Sequence, residues 1–535
     1  MLAYGYIQAL APELILTLAA ILVLLVGMFG RGRGPWLVFC VAAIGLLAAS
    51  AAMLNAPDAA SVHLAGVKLG PMATYTRLIT LAFGLLLLLI SWHLPGGTDR
   101  GEFFALVLFS TTGAMLTGLA NDLIVLLIAL ELVSVPTYVL VASGRTDPRA
   151  QEAGLKYFFL GAMASALVAY GFSFLYGLAG TTVIFATSPG QVSLSSAVAA
   201  HRGEFLPVAG LSLAIFGLAF KVAAVPMHFY AADVYEGAAA PVTGMLGFLP
   251  KLAGFVALAR LLGTMGGYLP DVIFWLVWGL AAATMIVGNV LALLQGNVKR
   301  ILAYSSIAHS GYMLVALLVG PVHPLDAPIR DGVGAMMFYI GIYGAMNLGA
   351  FAVVGLLRTR GGTAEGERLD DLAGLARTRP AAALGLAVCV FSLMGMPPTA
   401  GFMGKVYVFG AALSLDKTSP DKLSMIVLAI LGVLTSAVGA AYYLRIIAAC
   451  YLREPTGEIR TVPCGLLKLG VALTAVLVLV AGLVPGRLMA GARRAAGDVA
   501  PARIAAPAQT DQPTTGTVAS RDSLDGGSRA AMDER

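Results

Sequence analysis

The chain has 535 residues, of which 59% are hydrophobic and only 12% charged, with a formal net charge of +6. A soluble domain normally carries about 25% charged residues, so a soluble enzyme is excluded. The mean hydropathy of +0.87 and apolar blocks long enough for a hydrocarbon core of roughly 30 Å point to an all-α polytopic membrane protein.

The first apolar run lacks a basic flank and a small-residue cleavage site before it, so it reads as a retained helix and not as a signal peptide. Apolar runs separated by polar or Pro/Gly punctuation predict about fourteen transmembrane helices. Helix is the only open-chain solution at that depth, because every backbone N–H and C=O must be paired internally. In order the predicted spans are 8–29, 35–55, 74–93, 103–120, 122–142, 150–178, 205–232, 239–263, 271–294, 299–320, 328–358, 381–413, 424–452 and 464–489. The segment 359–379 is the longest charged loop and suits a short amphipathic surface helix. Residues 490–535, rich in Ala, Thr, Ser, Asp and Gly, carry no apolar periodicity and read as a disordered tail.

Loops after odd-numbered helices hold Arg31, Arg33, Arg100, Arg145, Arg149, Lys299, Arg300, Arg358, Arg360, Arg368, Arg377, Arg379, Arg453 and Arg460. The alternate loops hold only Lys68, Arg202, Arg330, Lys417 and Lys422. The positive-inside rule then places both termini outside the cytoplasm, although Arg487, Arg493 and Arg494 after the last span argue the other way. Because the basic residues are scattered and not gathered in one patch, nucleic acid is not an expected partner. Cys40, Cys389, Cys450 and Cys464 form no CxxC and sit in or beside apolar runs. They are expected as small buried hydrophobes, with no metal or iron–sulfur site.

Charges inside the spans are the informative residues, since each costs at least ~2.5–3.5 kcal/mol at bilayer depth. Glu131 lies near the midpoint of the fifth helix, in LLIALELVSVPTYVLVA; a neutral acid bonded to a neighbouring helix is the bland alternative. Lys156 lies two turns into the sixth helix, four residues after Glu152, so a local pair with a snorkelling side chain explains it as well as function does. Lys221 is deep in the seventh helix, before Pro226 and on the expected helical face of His228. A proline frees a carbonyl, and inside a membrane that marks a cavity lined by protein or water. Lys251 follows Pro250 in the eighth helix, and a packing pair with a carboxylate is its bland reading. His309, among Ser305, Ser306 and Ser310 in the tenth, suits either a water file or interhelical hydrogen-bonding glue. Lys405 follows GMPPTAGFMG in the twelfth helix, a second broken span.

Two broken helices five spans apart suggest inverted repeats with a site at each break, helices 4–8 and 9–13. The chain then divides into residues 1–102 (helices 1–3), 103–263 (first repeat), 264–452 (second repeat), 453–489 (helix 14) and the tail at 490–535. Should Glu131 approach Lys221 within about 6 Å, an attraction of roughly 2–3 kcal/mol would let a moving carboxylate switch the lysine.

The stretches FKVAAVPMHFYAADVYEGAAAPVTGML, NVLALLQGNVKRILAYSSIAHSGYMLVALL and GMPPTAGFMGKVYVF resemble the subunit N family of respiratory NADH–quinone oxidoreductase (complex I), one of three antiporter-like membrane subunits. The resemblance covers about residues 8–489. It implies a relay of protons along Glu131, Lys156, Lys221, Lys251 and Lys405, with His228, Lys299 and His309 in the same motifs. It also implies a bacterial cell membrane, with the sister antiporter-like subunits and the small membrane subunits as partners. Neither a GxGxxG strand–helix unit nor a cysteine cluster is present, so no cofactor is expected on this chain. NADH, FMN, iron–sulfur clusters and quinone are then expected in partner subunits. Two other readings remain: a subunit of a multisubunit cation/proton antiporter, and a non-pumping structural subunit.

Overall fold

The computed structural model describes residues 7–29, 35–55, 66–92, 99–144, 147–188, 190–201, 203–266, 269–320, 331–358, 366–415, 419–455, 460–461 and 465–499. The apolar runs become helices whose starts are fixed by side-chain caps. Asp99, Asp122, Asp147, Asn297 and Asp331 each accept backbone N–H groups that a first helical turn leaves unpaired.

The helices are α1 (Ala11–Phe29), α2 (Pro35–Leu54), α3 (Pro71–Ile90), α4 (Arg100–Leu119), α5 (Leu123–Ser143), α6 (Pro148–Ala179), α7 (Leu194–Ala200), α8 (Phe205–Lys221), α9 (Ala231–Gly237), α10 (Ala240–Leu246), α11 (Leu249–Gly263), α12 (Asp271–Leu293), α13 (Val298–Val319), α14 (Gly332–Leu356), α15 (Leu375–Thr378), α16 (Pro380–Met394), α17 (Ala400–Leu413), α18 (Lys422–Leu452), α19 (Gly465–Leu483) and α20 (Gly486–Gly497). A two-residue antiparallel ladder pairs β1 (Leu357–Arg358) with β2 (Arg460–Thr461).

Among the described residues, twelve helical spans are long and apolar enough to cross a membrane. Three shorter apolar helices, Phe205–Lys221, Pro380–Met394 and Ala400–Leu413, fall where the two broken spans are expected. The first break runs from Val222, the cap of α8, to Tyr230, before α9, and contains Pro226. The second runs from Gly395 (φ 88°) through Pro397 and Pro398 to Thr399.

Burial sorts the helices into layers. The span 240–263 is wholly buried and 298–319 and 332–356 are 94% buried, against 33% for α1 and α6. Helices buried on every side lie in the middle of a bundle, so α11, α13 and α14 form its centre. Polar groups on them face protein. Close packing brings the charged helices together: a Cβ on Gly217 of α8 would lie 2.6 Å from the Ala164 carbonyl of α6, so only glycine lets these backbones touch.

Four expectations change. Residues 222–230 are not helical, so Lys221 and His228 do not share a helical face. In the charged loop, residues 359–365 lie outside the described residues, and the described remainder folds as a short 3₁₀ turn (Leu369–Leu372) and α15. Residues 490–497, read as part of a tail, are helical. Helix α20 runs to Gly497 and buries Met489, Ala492, Ala495 and Ala496, a short apolar face whose signal Arg487, Arg493 and Arg494 offset in the sequence; residues 500–535 lie outside the described residues. Cys389 and Cys450 are buried, but Cys40 is exposed on α2, and Cys464 lies outside the described residues.

Candidate functional site

Lys221 ends α8 where proline stops the helix. Its ammonium donates to Glu131 Oε1 at 3.1 Å, Ser134 Oγ at 2.6 Å and Ser165 Oγ at 3.2 Å. Ser165 also donates to Glu131 Oε1. Lys221 is 4% exposed, whereas about a third of the Glu131 side chain is open. The carboxylate therefore looks both inward to the lysine and outward from the bundle. Ile124, Ile128, Val135 and Val139 of the same helix are exposed beside it.

Lys251 is buried in α11. Its ammonium donates to the Ser306 carbonyl and to Ser310 Oγ at 2.8 Å, and lies 5.6 Å from the centre of the Tyr343 ring. Ser310 in turn donates to the Val222 carbonyl at 2.5 Å. That carbonyl is among those freed where α8 ends, so a single hydroxyl joins the first break to Lys251. The expected carboxylate partner is replaced by neutral oxygens.

His309 occupies the other polar face of α13. Its Nδ1 meets Tyr339 OH at 2.7 Å and its Nε2 meets Tyr443 OH at 3.0 Å; Tyr443 also bonds Ser305. Lys405 lies beyond, in α17. It donates to the carbonyls of Leu393 (3.2 Å) and Met394 (2.7 Å) and to Ser436 Oγ (2.6 Å). The first two are last-turn carbonyls of α16, which the second break leaves without helical partners. A cation there also complements the negative end of the helix dipole.

Lys221, Lys251, His309 and Lys405 thus lie along one buried polar axis, with hydroxyls and freed carbonyls between them. The other candidates fall elsewhere. Lys156 pairs with Glu152 at 2.8 Å and Asp233 at 3.0 Å, with 44% of its side chain exposed. Asp233 and Glu236 also hold Arg300, at 2.9 and 2.8 Å. Glu152, Lys156, Asp233 and Glu236, with Arg149, line a polar cavity of about 220 Å³, separate from the buried axis. Lys299 is fully buried but donates to the Ala238 carbonyl (2.8 Å) and to Glu367 (2.9 Å), tying the charged loop to the α9–α10 turn. His228 contacts the Pro226 carbonyl at 3.3 Å within the break.

Sequence reasoning missed Ser134, Ser165, Asp233, Arg300, Tyr339, Tyr443 and Ser436. Nothing in an apolar run separates a serine that solvates a lysine from one bonded to its own helix. The tyrosines read as ordinary core aromatics. It also missed a second buried ion pair: Arg77 of α3 grips Glu13 of α1 through two bonds of 2.7 Å and donates to the Ala9 carbonyl at 2.8 Å. Among the described residues, no three His, Cys, Asp or Glu side chains gather as a metal site requires.

Comparison with known proteins matches residues 120–438 to the family described as NADH:quinone oxidoreductase/Mrp antiporter, TM. The chain is 38% identical over 494 residues to NADH-quinone oxidoreductase subunit N of Rhodospirillum rubrum, covering 91% of this chain and 96% of that protein. It resembles a chain of respiratory complex I from Thermus thermophilus, with 31% identity and a TM-score of 0.72, over 90% of this chain and 98% of that one. A chain of the Mrp complex from Dietzia sp. has a TM-score of 0.76 over 93% of this chain and 97% of that one, but at 23% identity that likeness shows the fold alone.

Proposed function

Because this chain belongs to the NADH:quinone oxidoreductase/Mrp antiporter membrane family, we propose that it is a proton-translocating membrane subunit of an NADH:quinone oxidoreductase. Electrons pass from NADH to quinone in partner subunits, which hold the FMN and iron–sulfur clusters; this chain moves protons. The observation that carries the reading is the pair of buried ammonium groups, Lys251 and Lys405, held by neutral oxygens on either side of His309. Packing alone is better served by Leu or Phe at such depth, since each charge costs several kcal/mol.

In this reading Lys221 holds a proton while Glu131 faces it. Displacing the carboxylate outward removes the attraction that favours the ammonium, and the proton passes inward along the Ser310 side of the break to Lys251. His309, whose two ring nitrogens each meet a tyrosine hydroxyl, can take up a proton on the nitrogen that accepts, and Lys405 completes the axis. Lys156, Glu152, Asp233 and Glu236 form a polar mouth from which the axis is filled. The exposed side of Glu131 and its apolar neighbours are covered by an adjoining membrane subunit, so the partner's movement reaches the carboxylate directly. Sister antiporter-like subunits and the small membrane subunits are the proposed partners.

In this reading the chain comprises inverted units at 103–263 and 264–452, between helices 1–3 (1–102) and a final span (453–489), a division that the two breaks support. On the same reading, which the loop charges favour, the mouth at Lys156 faces the cytoplasm and both termini lie outside, in a bacterial cell membrane. The test is NADH-driven proton uptake by membranes carrying Lys221→Ala, with assembly checked on a native gel. An assembled complex with little uptake and slowed NADH–quinone turnover supports the reading; normal pumping overturns it.

A further inference from the structure

A third span is interrupted, just before Lys251. Helix α10 stops at Leu246 and α11 starts at Leu249, with Gly247 and Phe248 as the turn between them. The Phe248 N–H turns to the Met245 carbonyl at 3.0 Å, so the Gly244 carbonyl, which would accept it in a continued helix, is released. Asn347 of α14, 1% exposed, supplies the missing donor: its Nδ2 bonds the Gly244 carbonyl at 3.2 Å. A Cβ on Gly247 would lie 2.0 Å from the same Nδ2, so the amide is seated in the notch of the turn.

The amide's orientation follows from its partners. A backbone carbonyl can only accept, so the NH₂ group faces Gly244 and Oδ1 is left to accept. Tyr343, one turn earlier on α14 and fully buried, donates its hydroxyl to that Oδ1 at 3.2 Å. Its ring then touches two members of the relay. The Lys251 ammonium lies 5.6 Å from the ring centre, and the His309 ring lies 5.0 Å from it, tilted by 36°. An aromatic face attracts a cation, so the ring holds the ammonium from α14 while Ser306 and Ser310 hold it from α13. Between Tyr343 and Asn347, Gly344 lets α14 meet the turn itself: a Cβ there would lie 2.4 Å from the Phe248 ring.

We propose that Asn347 and Tyr343 form a latch on this break, two positioning residues that set where Lys251 stands relative to His309. The two-residue turn gives the first turn of α11, which carries Lys251, a place to pivot. Tying the Gly244 carbonyl to Asn347, and Asn347 to Tyr343, refers the turn, the ammonium and the imidazole to one helix. Placement matters for a transfer step, since an error of about 1 Å can cost up to ~100-fold in rate. The inference rests on the proton-carrying role proposed above and adds the device that holds two of its carriers in register.

The test uses the assembled complex in membranes, and reads NADH-driven proton uptake per complex together with its pH profile. Tyr343→Phe keeps the ring and deletes one hydroxyl, Asn347→Leu deletes the amide, and the double variant cuts the same link twice. Uptake is expected to fall several-fold in each single variant. Its pH midpoint should move as well, because shifting the ring against the ammonium changes the proton affinity of the site. The double variant should be no worse than the poorer single one, as expected of two residues that act as a unit. Parental uptake in Tyr343→Phe overturns the proposal, and that variant carries the comparison if Asn347→Leu does not assemble. Lower uptake with an unmoved pH midpoint, or losses that multiply in the double variant, assigns the effect to packing and overturns it too. Lys221→Ala separates the two ideas: normal pumping in that variant sinks the functional reading itself. Lost pumping there, with parental uptake in Tyr343→Phe, sinks the latch alone.

Discussion

Replacing Glu131 by glutamine removes one charge from the Lys221 site and almost nothing else. Two unit charges 3.1 Å apart attract by about 5 kcal/mol at an effective dielectric of ~20. Since a third of the Glu131 side chain is open, screening brings the working figure to about 3 kcal/mol. That is roughly a hundredfold in the equilibrium between proton held and proton released. Glutamine still offers an oxygen to Ser165, and Lys221 keeps Ser134 and Ser165, so folding should be little affected. The expected result for Glu131→Gln is a complex assembled to normal levels whose NADH-driven proton uptake falls about tenfold or more, with Glu131→Asp intermediate. Uptake is read as quenching of a pH-sensitive dye in inverted membranes, normalised to complex on a native gel. An assembled Glu131→Gln complex pumping at the parental rate would refute the switching argument.

Other expectations follow from the same contacts. Lys156→Ala removes exposed pairs worth about 0–1 kcal/mol, so pumping should fall far less than in Lys221→Ala; equal losses would move Lys156 into the axis. Glu13→Gln strands the buried Arg77 and should cost about 3–5 kcal/mol, seen as lower complex yield and melting temperature, and Glu13→Gln with Arg77→Met should recover much of it. Asp331, which caps α14, is pushed up to about 6 by burial, against the Gly334 N–H and Arg493 that favour its charge. Its unfolded value is about 3.9, so between pH ~4 and ~6 the folded chain binds more protons and stability falls as pH rises. Asp331→Asn should flatten the melting temperature across that window, and an unchanged slope would assign it to another group.

What the sequence made legible was the cost of each charge. Glu131, Lys221, Lys251 and Lys405 stand out in apolar runs because hydrocarbon penalises them, and the prolines beside two of them announce the broken helices. Distances between helices were not legible. Glycine at 217 gives no sign of which backbone it will touch, and so Ser165 could not be matched to Lys221. The same blindness hid the Arg77–Glu13 grip, whose members are 64 residues apart. His228 was misjudged because a seven-residue spacing assumes helix, and the break abolishes that periodicity. The partners of Lys299 were not legible either: at the start of α13 it meets Glu367 and the Ala238 carbonyl, both distant in the chain. Helix α20 escaped notice because Arg487, Arg493 and Arg494 offset the short apolar face of Met489 and three alanines.

The most direct measurement is the proton yield of Lys251→Met, since Lys251 lies between the two breaks and methionine fills its space without a charge. The complex would be purified, reconstituted in proteoliposomes, and followed for protons moved and NADH oxidised in the same sample. A relay through this chain predicts an assembled enzyme in which proton movement and NADH–quinone turnover both fall about tenfold or more. Unchanged turnover with unchanged protons per NADH would contradict it, and would make the buried lysine a packing residue.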